Sequence, residues 1–97
     1  MSENSKAVVI QAGIKVTDAA KFIDICADVI ANTRKESGCV RYDLFQSVDD
    51  KNVFYFLEEY VDEAAFQAHR DMPYMAPFRK ARETVLEKYL GVDKFEK

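Results

Sequence analysis

Glycine, proline and histidine are scarce in this 97-residue chain, which contains three, two and one of them, and tryptophan is absent. The glycines are isolated, so the chain has neither a glycine-rich phosphate loop nor a nicotinamide or flavin fingerprint. It also lacks a GxSxG nucleophile motif. These absences predict that any catalysis depends on side chains and substrate alone, with no cofactor.

Long apolar runs are missing as well. No stretch approaches the roughly 20 apolar residues of a membrane span. The opening MSENSKAVVI has neither the apolar core nor the cleavage site of a signal peptide. The sequence therefore predicts a cytoplasmic protein that does not associate with a membrane.

The two cysteines, Cys26 and Cys39, lack CxxC spacing and a neighbouring histidine. This pattern predicts buried free thiols that pack as small apolar groups, and not a catalytic thiol. The single histidine, His69, and a distant glutamate do not make a ligand set, so no metal site is predicted.

The chain has a net charge of −3. Because phosphate binding requires a clustered basic face, nucleic acid is excluded as the main partner. A late basic group is interleaved with glutamates, which indicates a solvated helix face. It comprises Arg79, Lys80, Arg82 and Lys88.

The length predicts a single domain over residues 1–97. Residues 1–6 are polar and are predicted to be disordered.

Apolar periodicity predicts the first elements. Residues 7–16 alternate with period two, which indicates a strand. Thr17 is predicted to cap a helix that ends near Lys35, before a break at Gly38. Two further alternating runs, joined by a polar turn, predict an antiparallel hairpin. They are Cys39–Gln46 and residues 52–61.

The C-terminal half completes the fold. Asp62 is predicted to cap a helix, and a second helical piece starts at Pro73 and is stopped by Gly91, before a strand over residues 92–96. The order β-α-β-β-α-β is that of the ferredoxin-like α+β fold, with helices on one face of the sheet. An apolar bare face predicts a homodimer that packs two sheets together. Its residues are Val9, Phe45, Tyr55, Leu57 and Val61.

The groups able to move protons lie in residues 58–78. Glu58 and Tyr60 share one strand face, which places them between sheet and helices, near Tyr42. A carboxyl buried there has a raised pKa. His69 follows on the next helix, and an imidazole suits proton abstraction near neutral pH. Structural alternatives remain open: an ion pair for the carboxylate, a hydrogen-bonded structural histidine, and core packing for the tyrosines.

The segment ESGCVRYDLFQSVDDKNVFYFLEEYVDEAAFQAHRDMPYMAPF resembles the antibiotic biosynthesis monooxygenase family. The family pattern is (E)xGCxxYxL, a strand ending in ExY or ExW, D-E-x-A-(F/L)-x-x-H, and a short helix ending in Phe. The matching positions are Glu36, Gly38, Cys39, Tyr42, Leu44, Glu58, Tyr60, Asp62, Ala65, Phe66, His69 and Phe78. The resemblance covers roughly residues 8–78 and implies a dimeric α+β barrel of two ferredoxin-like subunits.

The resemblance implies a choice of chemistries. Our prediction is a cofactor-independent monooxygenase that oxidises a small quinol-like or phenolic substrate with O₂. The alternatives are an isomerase or degradation enzyme for phosphorylated autoinducer-2-type sugars and a non-catalytic small-ligand-binding dimer. Haem degradation is disfavoured, because Ala12 and Tyr60 stand where that branch has Asn and Trp. Many members carry a second histidine where this chain has Tyr74, which argues against a mechanism that needs two imidazoles.

Both enzymatic readings begin with removal of a proton, after which nearby donors hold the resulting anion. His69 is the predicted base, and Glu58 orients or polarises it. Arg70 and Arg79 are possible anchors for a phosphate, although nothing in the sequence directs them inward. The predicted substrate-binding residues are Tyr42, Tyr60, Tyr74, Phe56 and Phe78.

Overall fold

The computed structural model describes residues 6–97, so residues 1–5 of the segment predicted to be disordered lie outside the described part. The elements, in chain order, are β1 (Val8–Val16), α1 (Ala19–Thr33), β2 (Cys39–Gln46), β3 (Val53–Tyr60), α2 (Glu63–Arg70), α3 (Met75–Glu83) and β4 (Leu86–Glu96). None of the helices within residues 6–97 has the length and apolar character needed to cross a membrane.

The four strands form one antiparallel sheet in the order β2-β3-β1-β4. The two middle strands, β3 and β1, are adjacent although α1 and β2 separate them in the chain, which is the connection expected of a ferredoxin-like arrangement. The predicted α+β fold is therefore confirmed, with the second helical region divided into α2 and α3.

One face of the sheet packs against the helices. Phe54 and Phe56 of β3 are buried, and the Phe22 ring of α1 lies 4.9 Å and 6.3 Å from their ring centroids. The register places Ile14 and Ala12 of β1 beside these two phenylalanines. Because side chains alternate along a strand, every second residue of β1 and β3 enters this core.

The N-cap of α1 is Asp18, and the prediction of Thr17 is wrong. The Asp18 carboxylate accepts a hydrogen bond from the Lys21 backbone N–H at 3.0 Å. The Thr17 hydroxyl donates instead to the Val85 carbonyl oxygen at 3.3 Å, which ties the start of α1 to the chain before β4. The second predicted cap, Asp62, is confirmed by its bond from a backbone N–H in the first turn of α2.

Gly38 does not end a helix, because α1 stops at Thr33 with Arg34 as its C-cap. Gly38 lies instead in the segment that crosses α2 on the way into β2. A Cβ added to Gly38 would lie 2.5 Å from the Ala65 Cβ. The glycine therefore permits a close approach between this segment and the helix that carries the histidine.

The C-terminal strand is much longer than predicted. The sequence indicated a helix from Pro73 to Gly91, but α3 begins at Met75 and ends at Glu83, and β4 extends well beyond the predicted residues 92–96. Gly91 lies inside β4 with a φ of 112°, next to a shift of register. Strand β1 exposes backbone donors and acceptors along one edge, and pairing with them overrides the helical spacing of residues 85–89.

The other face of the sheet carries exposed apolar side chains. Phe45 is 50% exposed and Tyr55 is 37% exposed, and β4 adds Leu90 and Phe95. A bare apolar face of this kind is uncommon in a monomer. The predicted homodimer through this face nevertheless stays a prediction. Of the other residues predicted for this face, Val9 and Leu57 are half-buried, and Val61, which follows β3, is exposed.

Candidate active site

A cavity of about 360 Å³ lies between the helix-covered face of the sheet and the helices α2 and α3. Its lining combines apolar side chains with one carboxylate, one imidazole and three guanidinium groups. A second cavity of about 380 Å³ lies between α1 and α3, but neither histidine nor arginine lines it. The first cavity therefore holds the reactive groups.

Five of the seven predicted site residues line the first cavity. The other two, Tyr60 and Tyr74, lie outside its lining, and the hydroxyl of each donates to a glutamate carboxylate. They therefore contact the glutamates of the site and do not face the cavity. The lining members of the predicted set are Tyr42, Phe56, Glu58, His69 and Phe78.

Glu58 presents the carboxylate in the cavity wall. The register of β3 places it between Ile10 of β1 and Tyr42 of β2, on the helix-covered face. Glu58 is 8% exposed, and its Oε1 accepts a hydrogen bond from the Tyr60 hydroxyl at 2.7 Å. No ion pair reaches Glu58 from residues 6–97, so the ion-pair alternative is wrong for this part of the chain.

Burial raises the pKa of Glu58 to about 7, and the charge of Glu36 acts in the same direction. The hydrogen bond from Tyr60 opposes this, because it stabilises the ionised form. Desolvation outweighs the hydrogen bond. Glu58 therefore exchanges its proton near neutral pH, the range in which a side chain serves both as acid and as base.

His69 lies on the last turn of α2, between two tyrosine rings. Its ring centroid is 5.5 Å from that of Tyr42 and 5.1 Å from that of Tyr60. Its Nδ1 lies 3.0 Å from the Glu36 Oε2. A carboxylate only accepts hydrogen bonds, so Nδ1 is the nitrogen that carries the proton in the neutral imidazole, and Nε2 then has the lone pair. The imidazole is therefore held as the tautomer whose other nitrogen accepts a proton.

Glu36 has a second donor. The Tyr74 hydroxyl donates to the same Oε2 atom and also lies 3.4 Å from the Thr33 Oγ1. The Glu36 side chain is 8% exposed. Sequence reasoning assigned no role to Glu36, although it matched the family pattern. Its 33-residue separation from His69 leaves no local signal of the contact.

The tyrosines of the site remain protonated. Burial is the largest cause that raises the pKa of both Tyr42 and Tyr60, and the charge of Glu58 raises them further. A neutral phenol donates a hydrogen bond, so Tyr60 supports Glu58 and Tyr42 is available as a donor in the cavity wall.

Three arginines, Arg70, Arg79 and Arg82, line the cavity. The prediction that the late basic group is only a solvated helix face is therefore wrong for Arg79 and Arg82. Lys80 is exposed on α3 as expected, whereas Lys88 is exposed but lies on β4 and not on a helix. Helical spacing alone did not distinguish the two sets, because the inward direction of α3 depends on how it packs.

The cysteines take no part in this lining. Both are free, and Cys39 is half-buried whereas the prediction had it buried. Burial raises the pKa of Cys26 to about 12 and that of Cys39 to about 11, so both remain thiols. Residues 6–97 also contain no group of three or more His, Cys, Asp or Glu side chains arranged to hold a metal ion.

Comparison with known proteins gives consistent matches. A family model described as antibiotic biosynthesis monooxygenase matches residues 7–81. "Putative monooxygenase YcnE" of Bacillus subtilis is 32% identical over 91 residues, which cover 92% of this chain and 96% of that protein. Protein SO0527 from Shewanella oneidensis is 28% identical, with a TM-score of 0.83 over 97% of this chain and 93% of its own.

A more distant structure shares the fold. SnoaB, a cofactor-independent oxygenase from Streptomyces nogalater, has a TM-score of 0.80 at 19% identity, with 94% of this chain and 91% of its own covered. At this identity the likeness concerns the fold alone.

Proposed function

Because the chain belongs to the antibiotic biosynthesis monooxygenase family, we propose that it is a cofactor-independent monooxygenase that oxidises a small quinol-like or phenolic substrate with O₂. The observation that carries the proposal is that His69, whose Nδ1 is bonded to Glu36, lines a cavity that Glu58 also lines. SnoaB, described as a cofactor-independent oxygenase, has the same fold.

His69 is the proposed base. With Nδ1 bonded to Glu36, its Nε2 takes the proton of a substrate hydroxyl, and the carboxylate stabilises the imidazolium that forms. Tyr42 donates to the resulting phenolate oxygen, which stabilises the developing charge. The aromatic rings of Phe56 and Phe78, whose centroids are 6.3 Å apart, bind the flat body of the substrate.

The substrate anion then supplies the electrons. Its ring carbon forms a bond to O₂, which gives a peroxide on that carbon. His69 returns its proton to this peroxide, which becomes a hydroperoxide. Ionised Glu58 takes the proton from the same carbon as the O–O bond breaks, which forms a carbonyl and releases hydroxide, and the proton now on Glu58 converts the hydroxide to water. One oxygen atom ends in the product and one in water. The substrate provides all four electrons, so no external reductant is required.

The proposed enzyme works as a homodimer in the cytoplasm. Support for the dimer comes from the exposed apolar face of the sheet, which includes Phe45 and Phe95. We expect Leu57→Lys, a charge on this face, to give monomer or aggregate in size-exclusion chromatography. Val48→Lys is the control, because Val48 is fully exposed in the hairpin turn. A dimer unaffected by Leu57→Lys would contradict this arrangement.

Oxygen uptake with a panel of hydroquinones and naphthohydroquinones tests the reaction. We expect His69→Ala to lower kcat about 10²- to 10⁴-fold, the usual contribution of a general base. Gln67→Ala is the matched control, since Gln67 is an exposed residue of the same helix. Absence of uptake by the wild-type protein would overturn the oxygenase and favour the non-catalytic ligand-binding dimer.

A second candidate is an isomerase or degradation enzyme for phosphorylated autoinducer-2-type sugars. The arginines in the cavity favour it, because a phosphate requires a basic anchor. The first proton transfer is the same, but the anion is reprotonated on another carbon. Conversion of a phosphorylated ketose without oxygen uptake, lost in His69→Ala, would select this candidate.

A further inference from the structure

The three arginines of the cavity have no acidic partner among residues 6–97. The ion pairs of this part of the chain involve other basic residues. The Arg79 Nη2 donates to the Arg70 backbone carbonyl oxygen at 3.0 Å, which fixes one guanidinium without neutralising it. Because Glu58 is the one carboxylate in the lining, the cavity carries an excess of positive charge.

Arg82 is the most confined of the three. Its Nε is buried, and no acceptor in the described part of the chain reaches it. Its guanidinium carbon lies 5.5 Å from the Phe78 ring centroid and 5.4 Å from that of Tyr89. The two rings hold the group in place through their faces, but they leave the buried Nε–H without an acceptor.

The cavity wall along α3 changes from apolar to cationic. Met75 and Phe78 are buried, and Arg79 and Arg82 follow them on the same side of the helix at spacings of three and four. The opposite wall is apolar at Phe56. A ligand that fits this wall combines an apolar body with a group that accepts hydrogen bonds from guanidinium.

We propose that the ligand of this cavity is an aromatic molecule that carries an anionic group, carboxylate or phosphate, bound by Arg79 and Arg82. This inference rests on the proposed function only in placing the substrate in the same cavity. Both anions present paired oxygen atoms, which match the planar donor geometry of guanidinium, and the bonds are charge-assisted. The aromatic body lies against the side chains of Phe56 and Phe78, which line the same cavity as the base.

Equilibrium binding of three redox-inert probes tests the inference: naphthalene-2-carboxylate, 2-naphthyl phosphate and naphthalene-2-carboxamide. By isothermal titration calorimetry we expect at least one anion to bind about tenfold or more tightly than the carboxamide, as charge-assisted hydrogen bonds allow. This preference should fall severalfold in Arg82→Gln and in Arg79→Gln. Lys80→Gln, the same loss of charge at an exposed position of α3, should retain it.

Equal binding of all three probes, tighter binding of the carboxamide, or no binding of either anion at millimolar concentration would overturn the inference. So would a preference that survives both arginine substitutions. Arg79→Gln keeps the test decisive if Arg82→Gln does not fold, because Arg79 is half-buried and does not stack between two rings. The anion that binds more tightly distinguishes a carboxylate from a phosphate ligand.

The probes also separate this inference from the oxygenase proposal. Oxidation of neutral hydroquinones without any anion preference would contradict the inference alone. Preferred binding of an anion without oxygen uptake on any hydroquinone, including carboxylated ones, would contradict the oxygenase alone.

Discussion

Two glutamates lie near His69, one bonded to its ring and the other in the lining of the same cavity, and their surroundings differ. Glu36 accepts from His69 and Tyr74 and does not line the cavity, whereas Glu58 accepts from Tyr60 and lies in the cavity wall. Each has a tyrosine donor, so the tyrosine does not distinguish them. They differ in that Glu36 accepts a hydrogen bond from the imidazole, whereas Glu58 lines the cavity. In the proposed mechanism, Glu36 positions the base, while Glu58 exchanges protons with the substrate.

Among the substitutions that compare these two glutamates, Glu36→Gln should have the largest effect. The amide keeps the shape but removes the charge that stabilises the imidazolium, so we expect kcat to fall about 10²-fold with little change in KM. Steady-state oxygen uptake measures it. Asp28→Asn, an exposed acid of α1, is the control. A kcat within twofold of the wild type would mean that Glu36 is only structural.

An intermediate effect should appear in the pH dependence of stability. The pKa of Glu58 is 4.5 in its unperturbed form and about 7 when folded. Between these values the unfolded chain loses its proton while the folded protein keeps it, so the stabilisation present below pH 4.5 is lost as pH rises through 7. The loss amounts to a few kcal/mol, from about 1.4 kcal/mol per pKa unit.

Urea unfolding at pH values from 5 to 8 measures this loss. Glu58→Gln removes the carboxyl group that titrates, so its stability lacks this pH dependence. The difference in unfolding free energy between variant and wild type should therefore grow with pH and level off above 7. Glu59→Gln, the neighbouring residue on the opposite face of β3, is the control. Parallel curves for Glu58→Gln and wild type would contradict the raised pKa.

The smallest effects should come from the two tyrosine hydroxyls. Tyr60→Phe and Tyr74→Phe each remove one hydrogen bond, which is worth about 1 kcal/mol in thermal or urea unfolding. Only Tyr60→Phe should move the pKa of Glu58 further upward, because that bond stabilises the ionised carboxylate. A titration of Glu58 by carboxyl NMR that responds equally to both substitutions would remove the distinction between the two glutamates.

The predictability of the fold differs along the chain. The bounds of β2 follow from strict alternation, and the Asp62 cap follows from its position before an amphipathic segment. β4 was not predicted in full, because residues 85–89 satisfy a helical spacing and become a strand only beside the edge of β1. Pairing across about 70 residues of sequence leaves no local signal.

The site shows the same division between features that local sequence patterns predict and contacts that depend on packing. Glu58 and His69 were predicted because a strand face and a helix face each direct them towards the core. The contact of Glu36 and the inward direction of Arg79 and Arg82 depend on how α2 and α3 pack on the sheet. Family resemblance marked Glu36 as a matching position, but a matched position does not state what the side chain contacts.

The close approach at Gly38 has a consequence for any redesign of this protein. Glu36 precedes it by two residues, and Ala65 stands four residues before His69 on α2. The 2.5 Å separation calculated for an added Cβ means that one methyl group would push the segment and the helix apart. Because Gly38 has no side chain, the segment can lie close enough to α2 for the Glu36 carboxylate to reach the His69 imidazole. A library that varies this position would alter the contact between Glu36 and His69 without replacing an ionisable residue.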